Sequence, residues 1–181
     1  APRTYLRHEL GNGFEAAKVD AFLAEGPRMV EFFEDRTEVK FVPGNAVPDF
    51  HGRSPGAVTG GRSVCAAPYD GRRLGALTGR LRPPLREISV FGMGIASGAD
   101  LKHFLNATRA PVSALHVARR LGRHALDLLR HRRGMQLVNG NALVARLLRS
   151  AADAGVELRE SSPVLRLLTR GGRVTGAVLS G

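Results

Sequence analysis

The chain has 181 residues, 43% of them hydrophobic and 24% charged, and a formal net charge of +11. This length and balance favour one globular domain, or two small lobes, with a core of its own, and no apolar run approaches the roughly 18 residues of a membrane-spanning helix. A single cysteine, Cys65, excludes an internal disulfide and a cysteine-based zinc cluster, and agrees with a reducing, cytoplasmic setting.

The positive charge comes almost entirely from arginine. Lysine occurs only at positions 18, 40 and 102, so 24 of the 27 basic residues are arginine. Because they are scattered, we interpret them as a solvated surface, with some positive charge serving an anionic cofactor. The alternative is a basic module, without enzymatic activity, that binds nucleic acid or another anionic surface.

The two ends of the chain indicate an excised piece. It begins with Ala1 rather than methionine and ends at Gly181 within a strand-like pattern. We therefore expect an internal part of a longer protein.

The N-terminal region is predicted to be helical. Apolar residues recur at helical spacing from Phe14 to Asp35. Gly26 and Pro27 interrupt that pattern, and glycine suits a helix end as proline suits a helix start. We therefore predict two short helices that meet at a corner, followed by a strand over 38–42.

Residues 43–98 contain most of the proline and glycine. A loop of this length in a compact domain is usually functional or disordered. Its many large apolar side chains argue against disorder. We predict an ordered, irregular layer that covers a ligand or another part of the protein.

Two helices are predicted next, over "GADLKHFLNA" and "APVSALHVARRLGRHALDLLRHRR". The second carries an apolar stripe, formed by Leu115, Ala118, Leu121, Ala125, Leu128 and Leu129. Its other face is basic, with Arg119, Arg120, Arg123, Arg130, Arg132 and Arg133. We expect the stripe to pack on the core and the basic face to be solvated, with anion or membrane contact as the alternative.

The C-terminal region reads as a βα unit followed by an antiparallel meander. Strand, helix and three further strands are predicted over 135–138, 139–154, 156–160, 164–169 and 174–179. Arg170-Gly171-Gly172-Arg173 has the composition of a two-residue hairpin turn. The whole chain is therefore predicted to be α+β and rich in helix, with a small antiparallel sheet near the C-terminus. We divide it into a helical and irregular region, 1–133, and the βα-meander, 134–181.

Several catalytic signatures are missing from the sequence. It contains no G-x-G-x-x-G, no P-loop and no H-E-x-x-H, and "GIASG" has its serine in the wrong position for a nucleophile elbow. No pair of carboxylates suggests acid–base chemistry. We predict no metal site, and the catalytic residues cannot be named from the sequence.

Four segments carry a resemblance to a known family. They are "VDAFLAEGPRMVEFFED", "VPDFHGRSPGAVTGGRSV" with "YDGRRLG", "LRPPLREISVFGMGI", and the C-terminal "LVNGNALVARLLRSAADAGVELRESSPVLRLLTRGGRVTGAVLSG". In order and spacing the chain resembles the interior of flavin-dependent oxidoreductases of the fumarate reductase/succinate dehydrogenase superfamily. Within it, the 3-ketosteroid-dehydrogenase-like branch is the most similar.

The resemblance implies a partial FAD-binding domain, with the pyrophosphate-binding glycine loop upstream of this region. It implies an FAD-dependent dehydrogenase or reductase acting on a C–C bond of a steroid-like or dicarboxylate substrate. By this reading the piece alone is inactive and holds no FAD. Its partners are a small-molecule substrate and the missing N- and C-terminal parts, with no nucleic acid. A dimer through exposed apolar surface and a membrane-peripheral location are further possibilities.

The resemblance also implies cofactor-binding positions. The backbone of Val164 would pair with the adenine edge, although Val164 also suits an ordinary strand residue. Asn139, Gly140 and Asn141 would approach the flavin or substrate side, although they also suit a plain helix cap.

On the substrate side the resemblance points to Phe50 and Arg62. Relatives often carry a tyrosine in "PDY" where this chain has Phe50, and a phenyl ring has no ionisable proton. Phe50 would therefore line an apolar pocket. Arg62 would meet a substrate carboxylate or carbonyl, or form a salt bridge within the loop layer.

Overall fold

A computed structural model describes residues 2–180, which form a mixed α and β structure. The helices are α1 (Pro2–Leu10), α2 (Ala16–Arg36), α3 (Ala99–Leu105), α4 (Pro111–His131) and α5 (Asn139–Asp153). The strands are β1 (Phe41–Pro43), β2 (Val64–Ala66), β3 (Tyr69–Asp70), β4 (Ser89–Val90), β5 (Met93–Gly94), β6 (Gln136–Leu137), β7 (Val164–Arg170) and β8 (Arg173–Leu179). Three 3₁₀ helices span Gly11–Gly13, Gly71–Arg80 and Arg86–Ile88. The predicted α+β class, rich in helix, is confirmed.

All strand pairs in residues 2–180 are antiparallel and two-stranded: β1–β2, β3–β6, β4–β5 and β7–β8. The longest is the β7–β8 hairpin near the C-terminus, whose turn is Gly171-Gly172 with φ of 58° and 76°. These positive φ values suit glycine and the type of turn that the sequence predicts. The short strands and 3₁₀ turns between 43 and 98 give the ordered, irregular layer expected there.

The chain divides into two compact units, Ala1–Ser150 and Ala151–Gly181. The first holds all the helices apart from the last turn of α5. The second holds that turn and the β7–β8 hairpin. The functional division at residues 133 and 134 stays a prediction.

The core of the first unit lies where the β3–β6 pair meets α5. Its buried members are Tyr69, Leu74, Leu81, Leu137, Ala142 and Ala145. The two alanines allow α5 to approach the strand pair closely, and Leu74 is only 2% exposed. Each large apolar side chain buried in this way contributes about 1.5–3 kcal/mol. This core fixes the start of α5 beside the loop layer.

Arg146 is a buried side chain that links this core to the backbone of the segments around residues 38 and 67–68. It is 7% exposed, and its guanidinium lies 5.0 Å from the centre of the Tyr69 ring. It donates hydrogen bonds to three backbone carbonyls, those of Glu38 (2.6 Å), Pro68 (2.8 Å) and Ala67 (3.2 Å). Burial lowers the pKa of Arg146. Three carbonyls satisfy a charge that would otherwise be costly to bury.

The prediction of two helices meeting at Gly26-Pro27 is wrong. α2 runs without a break from Ala16 to Arg36 and includes Pro27. Proline removes one N–H donor, but the turns on both sides keep their own hydrogen bonds. One missing bond is therefore not enough to end a helix of this length.

The predicted orientation of α4 is also wrong. Two leucines of its predicted buried stripe, Leu115 and Leu129, are 62% and 82% exposed. Arg120, predicted to be solvated, has a side chain only 10% exposed. Polar contacts described below hold the opposite face of α4 inward. Helical periodicity places these leucines on one side but does not say which side is buried.

The predicted strand over 156–160 is not a strand in the described part of the chain. Val156 and Leu158 are 53% and 39% exposed. Alternation of side chains is a strand signal only where a neighbouring strand completes the hydrogen bonds. The predicted meander is therefore a hairpin.

Candidate functional site

The loop between β1 and β2 is closed by its own backbone. At its base Gly44 N donates to Ser63 O at 2.8 Å, and Gly61 N donates to Gly44 O at 3.1 Å. Further along, Asp49 N donates to Val58 O at 3.0 Å, and Val58 N donates to Asp49 Oδ2 at 2.9 Å. The loop is thus fastened at two levels and has a defined shape.

Arg62 fastens the same loop from inside. Its Nη1 donates to Asp49 Oδ2 at 2.8 Å and its Nη2 to Gly56 O at 2.8 Å. The side chains of Arg62 and Asp49 are 21% and 12% exposed. The guanidinium also lies 5.7 Å from the centre of the Tyr5 ring. These contacts match the salt-bridge alternative, and a contact between Arg62 and substrate stays a prediction.

Phe50 projects from this fastened loop into solvent. It is 102% exposed, although its neighbours Asp49 and His51 are both hydrogen-bonded. In this chain it does not line a pocket with other described residues. A bare phenyl ring on a rigid loop is available to contact an apolar ligand or another part of the protein, so its substrate-side role stays a prediction.

His51, next to Phe50, belongs to a polar cluster with α1. His51 Nδ1 contacts Glu9 Oε2, and His51 N donates to Tyr5 Oη at 3.3 Å. Hydrogen bonds from Ser54 and then from His51 lower the pKa of Glu9. An ionised carboxylate only accepts, so His51 Nδ1 carries the proton in this contact, and in the neutral imidazole Nε2 is then the acceptor. This cluster was not found from the sequence, where nothing links Glu9 to His51.

The cluster borders an open depression of about 480 Å³, lined by His8, His51, Gly52, Arg53, Ser54 and Pro55. The side chains of Ser54 and His51 both bond to Glu9 rather than to each other, although Ser54 N donates to His51 O at 2.9 Å. The arrangement therefore does not activate Ser54 as a nucleophile, because that requires the imidazole to accept the hydroxyl proton. The arrangement does hold the imidazole of His51 at the surface, next to Phe50, with its Nδ1 bound to Glu9 and its Nε2 open to a ligand.

The start of α5 is a second candidate position. Asn139 has φ of +50°, and its Nδ2 donates to Ile95 O at 2.8 Å. Its Oδ1 accepts from Ser97 N and Oγ, both at 3.3 Å. Asn141 Nδ2 donates to Arg82 O at 2.8 Å. Both asparagine side chains thus hold the loop layer against the helix.

Gly140 lies between Asn139 and Asn141 and has no side chain to cover its backbone. It is exposed, and nothing lies within 4 Å of the position of an added Cβ. The first N–H groups of a helix have no acceptor within it and attract anionic or carbonyl groups. The first turn of α5 therefore fits the approach of a cofactor or substrate oxygen, and this role stays a prediction.

Val164 lies in the second unit as the first residue of β7. It pairs with Leu179 in the β7–β8 hairpin and is 57% exposed. Ser180 N donates to Pro163 O at 3.0 Å beside it. An exposed strand start is compatible with pairing to an adenine edge and equally with an ordinary strand residue, so the prediction stays open.

A buried polar cluster between α3 and α4 was also missed. Asp100, 9% exposed, accepts hydrogen bonds from Arg120 Nη1 at 2.9 Å and from Ala96 N at 2.9 Å. Its other oxygen lies 2.7 Å from His116 Nε2. The i,i+4 spacing of His116 and Arg120 was visible in the sequence, but not their common partner on another helix.

Within residues 2–180 no group of three or more His, Cys, Asp and Glu side chains could hold a metal ion. Over the same residues no helix is long and apolar enough to cross a membrane.

Comparison with known proteins agrees with this architecture. The model of the FAD binding domain family matches residues 1–181. The 4-oxocyclohex-2-ene-1-carboxylate 5-dehydrogenase of Sinomonas cyclohexanicum is 39% identical over 98% of this chain and 30% of its own length. The 3-oxosteroid 1-dehydrogenase of Mycobacterium tuberculosis H37Rv is 30% identical over 97% of this chain and 31% of its own.

A solved structure has the same fold. The 3-ketosteroid Δ1-dehydrogenase of Sterolibacterium denitrificans, in complex with 1,4-androstadiene-3,17-dione, superposes with a TM-score of 0.82 at 31% identity. The match covers 98% of this chain and 32% of that protein. The chain thus spans about 30% of the length of the curated relatives it matches. The resemblance drawn from the sequence is confirmed, and the chain belongs to the FAD binding domain family of flavoproteins.

Proposed function

We propose that the protein containing this chain is an FAD-dependent dehydrogenase that introduces a C=C bond into a six-membered cyclic ketone. The supporting observation is the match to the FAD binding domain over the whole chain, together with the chemistry that its relatives share. The substrates or ligands named for those relatives are an oxocyclohexene carboxylate, an oxosteroid and an androstadienedione. Each of these molecules contains an oxo group on a six-membered carbon ring.

The reaction removes two hydrogens from neighbouring ring carbons. FAD, when bound, would supply the acceptor for one of them as a hydride. The other, on the carbon next to the carbonyl, leaves as a proton and needs a base within hydrogen-bond reach. We assign the first turn of α5 around Gly140 and the start of β7 at Val164 to FAD.

On the substrate side, Phe50 would pack against the apolar ring. It cannot take the proton that a tyrosine in "PDY" could handle, because it has no ionisable group. Of its two polar neighbours, Asp49 is held by Arg62, whereas His51 is 70% exposed, with its Nδ1 held by Glu9. We assign His51 Nε2 as the proton acceptor and Glu9 as the residue that sets its tautomer.

The remaining assignments follow from the same proposal. The 181-residue chain has no glycine loop for the pyrophosphate, so by itself it would bind FAD weakly and would be inactive. The rest of the protein would cover part of its exposed apolar surface. A reducing compartment would suit its single cysteine.

The test is substrate-dependent reduction of the flavin in the full-length protein, followed anaerobically by its absorbance. We expect 3-oxosteroids or oxocyclohexane carboxylates to reduce it, and the corresponding alcohols, which lack the carbonyl, to leave it oxidised. Reduction by succinate but by no cyclic ketone would contradict the proposed substrate class. A protein purified without flavin, and unable to bind it, would contradict the proposal as a whole.

A further inference from the structure

α4 turns its polar side toward the protein and its apolar side toward solvent. Three polar residues on its inner side are buried: Ser113 (6% exposed), His124 (5%) and Asp127 (2%). Its exposed side carries Val112 (72% exposed), Leu115 (62%), Leu126 (52%) and Leu129 (82%). An amphipathic helix in a soluble domain normally has the opposite orientation. We call the surface formed by Val112, Leu115, Leu126 and Leu129 the outer face of α4.

Specific contacts fix this orientation along the whole helix. Arg120 Nη2 donates to Gly94 O at 3.0 Å, in addition to its bond to Asp100. His124 Nε2 lies 2.9 Å from Phe91 O. Asp127 contacts Arg72 and accepts from Met135 N at 3.0 Å. Rolling the helix to bury its leucines would leave these buried charges without partners, which is strongly unfavourable.

A row of arginines borders the outer face. Arg119, Arg123 and Arg130 follow one another at helical spacing, and all three are exposed. Within residues 2–180 none of their guanidinium groups makes an ion pair or a hydrogen bond. Arg119 and Arg123 line an open groove of about 780 Å³ together with Val112, Leu115 and Leu126. The surface is thus aliphatic in the middle and cationic along one edge.

We propose that the outer face of α4 is a docking surface for an anionic phospholipid bilayer. A helix of 21 residues is about 31 Å long, enough to lie in the plane of a membrane surface. Its leucines would enter the boundary of the acyl chains, and Arg119, Arg123 and Arg130 would meet phosphate groups. Charge complementarity favours this occupant over an apolar protein surface, which would leave three guanidinium groups without acceptors. The proposal does not depend on the proposed dehydrogenase activity.

The experiment is co-sedimentation of the full-length protein with vesicles. One set contains phosphatidylcholine with phosphatidylglycerol, and the other contains phosphatidylcholine alone. We expect binding to the anionic vesicles that weakens steeply with salt, and at least tenfold weaker binding to the neutral ones. Leu115→Glu with Leu129→Glu should reduce partitioning onto anionic vesicles at least tenfold. Arg119→Glu with Arg123→Glu should abolish the preference for them.

Leu85→Glu is the matched control, since Leu85 is 68% exposed but lies on another surface, and it should bind vesicles as the wild type does. If the leucine variant does not fold, the arginine variant tests the proposal alone, because both of its side chains are exposed. No binding of the wild type to either vesicle set would overturn the proposal. A second result would also overturn it: a loss of thermal stability in the leucine variant, with no vesicle binding by the wild type. That result would indicate that this face packs against the rest of the protein. A concentration-dependent dimer that these variants disrupt, again without vesicle binding, would assign the face to a second copy.

Discussion

Arg62 donates a 2.8 Å hydrogen bond to Asp49, the residue immediately before Phe50. The pair closes the β1–β2 loop from inside, so that the chain presents a fully exposed phenyl ring on a fastened backbone. Arg62 would then act on the substrate through Phe50 and His51, by holding the loop that carries them.

Arg62→Ala should therefore damage both stability and positioning. It leaves the largely buried Asp49 carboxylate without its charged partner, and we expect a loss of about 2–3 kcal/mol in the free energy of unfolding. Urea denaturation of the full-length protein measures this loss. Arg62→Lys keeps the charge but not the two-pronged contact, and should lose less. Equal stability of wild type and Arg62→Ala would contradict the clamp.

His51→Gln tests the proposed proton acceptor. Removing a general base lowers kcat by roughly 10²–10⁴-fold. KM should change little. Glu9→Gln keeps the imidazole but loses the ionised acceptor that orients it, so a smaller decrease in kcat is expected. An unchanged kcat in His51→Gln would show that the base is another residue.

Phe50→Tyr adds a hydroxyl at the position where the family resemblance implies a tyrosine. Because Phe50 is fully exposed, the free energy of unfolding should stay within about 0.5 kcal/mol of wild type. In the His51→Gln background it should restore kcat by about tenfold or more, since a phenol can exchange a proton with the substrate. Phe22→Tyr, at an exposed phenylalanine of α2, should restore nothing, and an equal effect of the two variants would argue against a special place for Phe50.

Gly140→Ala tests the bare backbone at the start of α5. The added methyl meets open space, and alanine is about 1 kcal/mol better than glycine within a helix, so folding should not suffer. FAD should nevertheless bind at least several-fold more weakly if the flavin approaches this backbone. Gly122→Ala is the matched control on α4, where a Cβ also meets nothing within 4 Å. Titration with FAD compares the two variants, and identical affinities would remove Gly140 from the cofactor site.

Tyr69→Phe probes the core. Tyr69 Oη is buried and has no hydrogen-bond partner among the described residues, so its removal should raise the free energy of unfolding by about 1 kcal/mol. Burial raises the pKa of Tyr69. The pKa of Tyr69 is therefore higher in the folded protein than in the unfolded chain, where it is about 10. The contribution of this group to stability is fully present below the pKa of the unfolded chain, and it is lost as the pH rises through the pKa of the folded protein. The advantage of Tyr69→Phe should therefore widen at alkaline pH, and a constant gap in urea titrations would contradict this account.

The sequence predicted much of the fold because its signals are local. The α4 and α5 helices and the β7–β8 hairpin follow from side-chain periodicity and from the glycines that tolerate positive φ. What it missed depends on contacts between distant residues. Pro27 does not end α2, and the leucines of α4 face outward because Asp100, Phe91 and Met135 hold its polar side. Glu9 and His51 meet only through the folded loop.

The candidate site, like the fold, was predicted from the sequence only in part. The resemblance pointed to Phe50, Arg62, Val164 and the Asn139–Asn141 segment, and the structure adds what each of them touches. The contacts of Arg62 and the two asparagines are internal to the chain, while Phe50 and Gly140 are left open. Hydrogen-bond partners of this kind cannot be read from one sequence, because they join residues some 6 to 59 positions apart.

The central claim, a flavin-dependent dehydrogenase, is tested most directly by titrating FAD into the full-length protein and adding a cyclic ketone under anaerobic conditions. We expect tight, stoichiometric flavin that is bleached by a 3-oxosteroid or an oxocyclohexane carboxylate. The isolated 181-residue chain should hold little flavin under the same conditions. A full-length protein that binds no FAD, or whose FAD no cyclic ketone reduces, would contradict the account.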